Sequence, residues 1–184
     1  MHPRYAHQPR LHGFTLVEIV IALVLLGILG IAGSKVFTAS VYTNETISST
    51  NMAYASARYA VERVSRETRE MDKTASLADA SGLTITASTL SFIKTGPQGS
   101  QRVTFTFSGN TLSMAYGNGA SHVLATNLSA GTFSYYKSVN AASTTAAQAD
   151  ASDLHYVFIR LKVKPDPALS QEFTLSNLIY LQNS

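Results

Sequence analysis

The chain has 184 residues, 45% of them hydrophobic, and a formal net charge of +3 at pH 7. It contains no cysteine, which excludes thiol catalysis, cysteine-ligated metals and disulfide bonds. The length allows one domain of ordinary size in addition to a long apolar segment near the N-terminus.

The excess positive charge comes largely from residues 1–13. Arg4 and Arg10 lie there without any acidic residue. Without these two arginines, 12 of the 14 basic residues and all 11 acidic residues remain, which gives a net charge of +1. The charge therefore gives no reason to predict nucleic-acid binding.

An apolar run of 20 residues extends from Phe14 to Gly33. As a helix it would be ~30 Å long, about the thickness of the hydrocarbon core of a bilayer. The only charge in it is Glu18, and a carboxylate at membrane depth costs roughly 2.5–3.5 kcal/mol. Basic residues precede the run, whereas Lys35 and Glu45 cancel after it, so the positive-inside rule predicts a cytoplasmic N-terminus.

A basic leader ends in Gly13 and is followed by Phe14-Thr-Leu-Val-Glu18 at the head of this apolar run. The junction resembles the type III signal of the type IV pilin and type II secretion pseudopilin superfamily. The resemblance implies that prepilin peptidase cuts between Gly13 and Phe14 and that the new amino group of Phe14 is N-methylated. Glu18 is then the fifth residue of the mature chain.

Three arrangements would accommodate Glu18. One helical turn separates it from the new amino group of Phe14 in its own chain. In a bundle of such helices, it would instead pair with the Phe14 ammonium of a neighbouring subunit. This ion pair would stabilise the correct axial register between the subunits. Alternatively, the carboxylate simply snorkels to the cytoplasmic interface.

An ordinary secretory signal, cut near Gly30-Ile31-Ala32, is the competing interpretation of the run. It is disfavoured because such apolar regions usually hold ~7–15 residues, and this one is longer and contains Glu18. Gly27, Gly30 and Gly33 lie near one face of the predicted helix. They either allow neighbouring helices to approach closely or are merely tolerated in a membrane helix.

The helical pattern continues through residues 35–72. An apolar stripe recurs every three or four positions and comprises Ala53, Ala57, Ala60, Val61, Val64, Thr68 and Met71. The other side is predicted to be a solvated charged face, formed by Arg58, Glu62, Arg63, Arg66, Glu67, Arg69 and Glu70. One continuous helix from Phe14 to about Asp72 is therefore expected.

From Leu83 onwards the apolar period changes to two, which predicts short antiparallel strands. The clearest are a hairpin around Ser108-Gly109-Asn110-Thr111 and a final pair at 157–163 and 173–181. We predict an α+β fold in which an antiparallel sheet packs on the apolar stripe. The segment 138–153 is of low complexity and is expected to form an exposed loop.

The helix at 59–71 and the succession of strands from 103 to 136 resemble minor subunits of the pseudopilin J and minor pilin W type. The resemblance implies a non-catalytic filament subunit near the tip or in initiation. Its implied partners are prepilin peptidase, other major and minor pilins or pseudopilins, an inner-membrane assembly platform, and membrane lipid before assembly. A secretion pseudopilus and a pilus both remain open.

This interpretation divides the chain into four segments. Residues 1–13 are a removable leader, 14–34 a transmembrane or filament-core helix, 35–72 its amphipathic continuation, and 73–184 a periplasmic β-rich domain. The protein would begin in the bacterial inner membrane and then enter the filament. The alternative is a membrane-anchored extracytoplasmic binding domain that never polymerises.

No enzymatic motif is present in the sequence. After the leader only His122 and His155 remain, and neither belongs to a recognisable nucleophile or zinc motif. Asp150, Asp153 and Asp166 lack the spacing of a calcium-binding loop. We therefore predict no enzymatic activity, no cofactor and no metal.

Overall fold

The computed structural model of the chain describes residues 13–78, 82–97, 99–136, 154–166 and 171–181. The elements in these ranges are α1 (Leu16–Arg69), α2 (Lys73–Ala78), β1 (Thr84–Ile85), β2 (Thr89–Gly96), β3 (Gly99–Ser108), β4 (Thr111–Tyr116), β5 (His122–Ala125), β6 (Leu128–Tyr136), β7 (Tyr156–Val163) and β8 (Phe173–Tyr180). The chain divides into two units between Glu45 and Thr46, inside α1. The predicted loop at 138–153 lies outside the described residues.

The first unit consists of α1 up to Glu45. All its described residues are exposed, including the large apolar side chains of the run that begins at Phe14. This is the one helix in the described ranges that is long and apolar enough to cross a membrane. Three of its hydroxyl groups bond within the helix: Ser34, Thr38 and Thr43 each donate to a backbone carbonyl three or four residues earlier.

In the second unit, α1 buries the predicted apolar stripe. Ala57, Ala60, Val64 and Thr68 are fully buried, and Val61 packs against the core from the side. The amphipathic pattern of this part of α1 is thus confirmed.

β1 to β5 form an antiparallel sheet in sequence order. The predicted hairpin joins β3 to β4, with Ser108 opposite Thr111 and Gly109 in the left-handed region at φ 57°. A second hairpin joins β2 to β3 and pairs Gly96 with Gly99. It was not predicted, because Gly96, Pro97 and Gly99 at the turn are exposed and do not continue the alternation of apolar side chains.

β6, β7 and β8 form a separate three-stranded antiparallel sheet. In β7 every second residue is buried, namely Val157, Ile159, Leu161 and Val163. These side chains belong to the same hydrophobic core as the stripe on α1 and the inner residues of the first sheet. The second unit therefore has one core, covered by a helix and two sheets.

The α+β fold is confirmed, although the strands form two sheets where one was expected. The change occurs between β5 and β6, at Asn127. This residue has φ 59°, a left-handed conformation that asparagine tolerates better than most residues. The chain turns there, and β6 pairs with β7 instead of with β5.

A short helix, α2, follows α1. The pattern predicts a single helix to about Asp72, but α1 ends at Arg69 and Asp72 caps a new helix by accepting a bond from the Ala75 backbone N–H at 2.8 Å. Ser76 fixes α2 to β2, because its hydroxyl donates to the Ile93 carbonyl and accepts from the Ile93 N–H. Six residues are too few to show a helical period in the sequence.

The two sheets meet where Gly131 of β6 lies against Phe107 of β3. A Cβ atom at position 131 would overlap the Phe107 ring, whose centroid lies 4.7 Å from that of the tilted Phe133 ring. The absence of a side chain at Gly131 therefore permits the contact between the sheets.

We predict that Gly131→Ala lowers the free energy of unfolding by about 1–3 kcal/mol, because the aromatic pair must move to admit the methyl group. Urea unfolding of the detergent-solubilised chain measures this effect. Gly96→Ala is the matched control, since a Cβ there meets nothing within 4 Å. Equal effects of the two substitutions would contradict the assigned contact.

Candidate functional site

Thr15 caps the N-terminus of α1. Its carbonyl accepts a bond from the Ile19 N–H at 3.2 Å, and its hydroxyl accepts one from the Glu18 N–H at 3.3 Å. Thr15-Leu-Val-Glu18 has the spacing of a capping box, with a threonine at the N-cap and a glutamate three residues later. This start signal was present in the sequence and was overlooked. It gives Thr15 a role in positioning Glu18.

The carboxylate of Glu18 lies in the first turn of α1 and is exposed. Within the described part of the chain, no side chain forms an ion pair or hydrogen bond with it. A negative charge is favourable near a helix N-terminus, but the following helix is apolar on every side. If this helix enters an apolar environment, Glu18 needs a partner from elsewhere.

Gly13 and Phe14 precede the cap and lie outside the helix. Both are exposed, and the Phe14 side chain retains 79% of its accessible surface. The peptide bond between them is accordingly accessible in the way that a proteolytic site requires. Cleavage and methylation at this bond remain predictions.

The three glycines of the apolar helix have no packing partner in the described residues. A Cβ atom built at Gly27, Gly30 or Gly33 meets nothing within 4 Å. The described residues therefore offer no internal packing reason for these glycines. The prediction that they contact neighbouring helices stays a prediction.

A charged cluster lies between α1 and the first sheet. We define the Glu67 cluster as Arg63, Glu67, Glu70, Lys94 and Tyr116. Glu67 is only 2% exposed. Its carboxylate forms ion pairs with Arg63 at 2.9 Å and Lys94 at 2.8 Å, and it accepts a hydrogen bond from the Tyr116 hydroxyl at 2.8 Å. Arg63 also donates to the Tyr116 hydroxyl, and Lys94 reaches Glu70 at 2.8 Å.

The prediction that Glu67 lies on a solvated helix face is therefore wrong. The helical period puts Glu67 beside exposed residues, but β2 and β4 bring Lys94 and Tyr116 against that side of α1. Of the charge pairs with i,i+4 spacing, Arg58 with Glu62 and Arg63 with Glu67 form. Glu70 binds Lys94, and the described residues show no ion pair for Arg66.

The cluster shifts the pKa values of its members. Burial alone would raise the pKa of the Glu67 carboxyl, but hydrogen bonds from Lys94 and Tyr116 and the charges of Lys94 and Arg63 lower it overall. Burial would lower the pKa of Lys94, and its bonds to Glu67 and Glu70 raise it instead. Burial raises the pKa of the Tyr116 hydroxyl, and the hydrogen bond to Glu67 adds to this. The paired charges form a structural contact between helix and sheet.

The described residues offer no grouping suited to binding a metal. No three His, Cys, Asp or Glu side chains converge in the ranges that the structure covers. His122 opens β5 and His155 precedes β7.

Residues 9–34 match the protein family described as "Prokaryotic N-terminal methylation motif". The matched segment contains Gly13, Phe14 and Glu18, and it ends before the β-rich part. A search of curated proteins found none that matches the chain. The motif supports a relationship to the type IV pilin and pseudopilin superfamily, and it suggests a structural subunit rather than an enzyme. The apolar part of α1 fits a membrane-anchored protein.

We predict that Glu67→Gln lowers the free energy of unfolding at pH 7 by about 2 kcal/mol, because Lys94 and Arg63 lose a buried anionic partner. The lowered pKa of Glu67 stabilises the native state above the unfolded pKa of about 4.3, and this contribution disappears as the pH falls through the folded pKa. The variant should therefore lose less stability on acidification than the wild type.

Urea unfolding in detergent between neutral and acidic pH measures both effects. Glu62→Gln is the control, since Glu62 pairs with Arg58 on the exposed surface and its loss should leave stability nearly unchanged. An unaltered acid dependence in Glu67→Gln would contradict the role of the cluster.

Proposed function

We propose that this protein is a minor subunit of a type II secretion pseudopilus or a type IV pilus. The observation that carries the proposal is the carboxylate of Glu18, for which the described residues provide no partner. It lies five residues after Gly13, inside the segment that matches the methylation motif, at the head of an apolar helix that the described residues leave exposed.

A polymer accounts for Glu18 better than a simple anchor does. A bilayer covers the apolar side chains of α1, but it leaves the carboxylate with a cost of roughly 2.5–3.5 kcal/mol. In a bundle of these helices, the amino group of a neighbour's Phe14 supplies the missing positive charge. Unpaired charges are costly in such a bundle and paired ones are tolerated, so the pairing selects one axial register.

Processing precedes assembly in this proposal. Prepilin peptidase removes residues 1–13 and methylates Phe14. Residues 14–34 then span the inner membrane with the N-terminus in the cytoplasm, 35–72 continue the helix, and 73–184 form the periplasmic domain. An inner-membrane assembly platform transfers the subunit from lipid into a filament of other pilins or pseudopilins.

A minor position near the tip or in initiation is supported by the J/W-type resemblance of the helix at 59–71 and of the strands that follow. These segments supply the C-terminal part of α1, strands β3 to β5 of the first sheet, and β6 of the second sheet. The same resemblance is compatible with secretion and with a pilus, and both belong to the proposal.

We predict that the protein from its native host begins at Phe14 and carries one added methyl group. Intact mass and N-terminal sequencing measure both changes. Gly13→Val should retain the leader and gain no methyl group, because the bulky side chain occupies the cleavage position. Gly27→Ala is the control and should be processed normally. An uncut terminus, or one near Gly33, would favour an anchored or secreted domain instead.

We further predict that Glu18→Gln is cut and methylated but is depleted at least about tenfold from sedimented filaments, because a neighbour's ammonium loses its partner. Glu45→Gln is the matched control, an exposed glutamate beyond the apolar run of the same helix. Immunoblotting of filament and membrane fractions provides the measurement. In a simple membrane anchor, removal of the charge would only make the helix more stable in the bilayer. Normal incorporation of Glu18→Gln into filaments would therefore contradict the assembly role.

A further inference from the structure

We propose that the open edge of β8, together with Arg66 and Arg69 of α1, binds an extended acidic segment of a partner protein as an added strand. This site lies in the second unit and is independent of cleavage at Gly13 and of filament assembly by the apolar helix.

The first observation is the unpaired edge of β8. Within the described residues β8 pairs with β7 alone. Tyr180 pairs with Tyr156, and next to this pair the Leu181 N–H donates to the His155 carbonyl. In an antiparallel ladder only alternate residues exchange hydrogen bonds with the neighbouring strand, so in β8 these are the odd-numbered residues. The backbone groups of the residues between them face away from β7, and these residues are Thr174, Ser176, Leu178 and Tyr180.

Such an edge is a ready template for another strand. Its outward N–H and C=O groups can continue the antiparallel ladder with any extended segment, which is how strand addition obtains affinity. Leu178 and Tyr180 are also 42% and 52% exposed, so apolar side chains accompany the open backbone groups.

The second observation is a cleft of about 480 Å³ between β8 and α1. Its walls are Asn177 from β8, four residues of α1 (Glu62, Ser65, Arg66 and Arg69), and Glu70, which directly follows α1. The Asn177 amide donates to the Ser65 hydroxyl at 2.8 Å, and the rings of Phe173 and Tyr54 lie 5.6 Å apart. β8 thus runs beside α1, and side chains of an added strand would enter the cleft.

Charge determines which segment fits. The two acids of the cleft are already paired, Glu62 with Arg58 and Glu70 with Lys94. Arg66 and Arg69 are exposed, and the described residues provide no acid for either. The cleft is therefore positively charged and suits carboxylates. A second copy of the chain pairing through β8 would bring two positive clefts together, which disfavours that occupant.

The direct test is binding of a labelled peptide to the full chain in detergent micelles, measured by fluorescence anisotropy. The probe alternates glutamate and valine over a length equal to the eight residues of β8, and the comparison peptide alternates lysine and valine. We expect saturable binding of the acidic peptide that weakens with added salt. No binding of the acidic peptide, or equal binding of both peptides, would overturn the proposal.

Charge reversal tests the arginines. Arg66→Glu with Arg69→Glu should weaken binding of the acidic peptide about tenfold or more and should allow the lysine peptide to bind. Lys162→Glu is the control, an exposed cation on β7. It alternates with the buried residues of that strand and lies on the sheet face away from α1. Unchanged peptide preference after the double reversal would overturn the role of the cleft.

Ser176→Pro tests the edge. The Ser176 N–H faces away from β7, so proline removes no bond of the native ladder but blocks strand addition. Binding should be lost, while Ser176→Ala binds normally and circular dichroism reports the same fold for both. Normal peptide binding by a folded Ser176→Pro chain would overturn strand addition. Dimerisation of the chain that Ser176→Pro abolishes would identify a second copy as the occupant and also overturn the proposal.

Discussion

The burial of Glu67 is the constraint on which the arrangement of the second unit depends. A carboxylate that is 2% exposed is stable only with its cationic partners in place, and those partners come from α1 itself and from β2. Any slip of the helix along the sheet would separate Glu67 from Lys94 and Tyr116. The alanine stripe tolerates many registers by itself, because small apolar side chains have little shape to match. The charged cluster therefore supplies the specificity that the apolar contact lacks.

The carboxylate of Glu18 in the first unit is in the opposite situation. Glu67 finds its partners inside the chain, whereas the described residues hold none for Glu18. Among the described residues, the apolar side chains around Glu18 are exposed, whereas Ala57 and Val64 are buried. One helix thus contains a half that packs into the fold of its own chain and a half that the described residues leave exposed. This contrast is the physical basis for proposing an assembling subunit and not merely an anchored domain.

Local patterns predicted a large part of this structure. The apolar stripe, the hairpin at Gly109 and the alternation in β7 each follow from residues close together in the sequence, and the Phe14–Glu18 motif does as well. The burial of Glu67 was missed because Lys94 lies 27 residues away and Tyr116 lies 49 residues away. The strands divide into two sheets between β5 and β6, where Asn127 has φ 59°, and this turn does not interrupt the apolar pattern of the sequence. The position of β8 at the edge of its sheet depends on the strand order, which the apolar pattern of the sequence does not specify.

The hydrogen bond between Asn177 and Ser65 also bears on the order of folding. It joins residues 112 positions apart, whereas the strands of the first sheet pair with their neighbours in the chain. Closing a long loop costs more entropy than forming a local hairpin, so contacts of high sequence separation tend to form late. We therefore expect the five-stranded meander to form early and β8 to dock beside α1 later. A partner that binds at β8 would consequently distinguish fully folded subunits from incomplete ones.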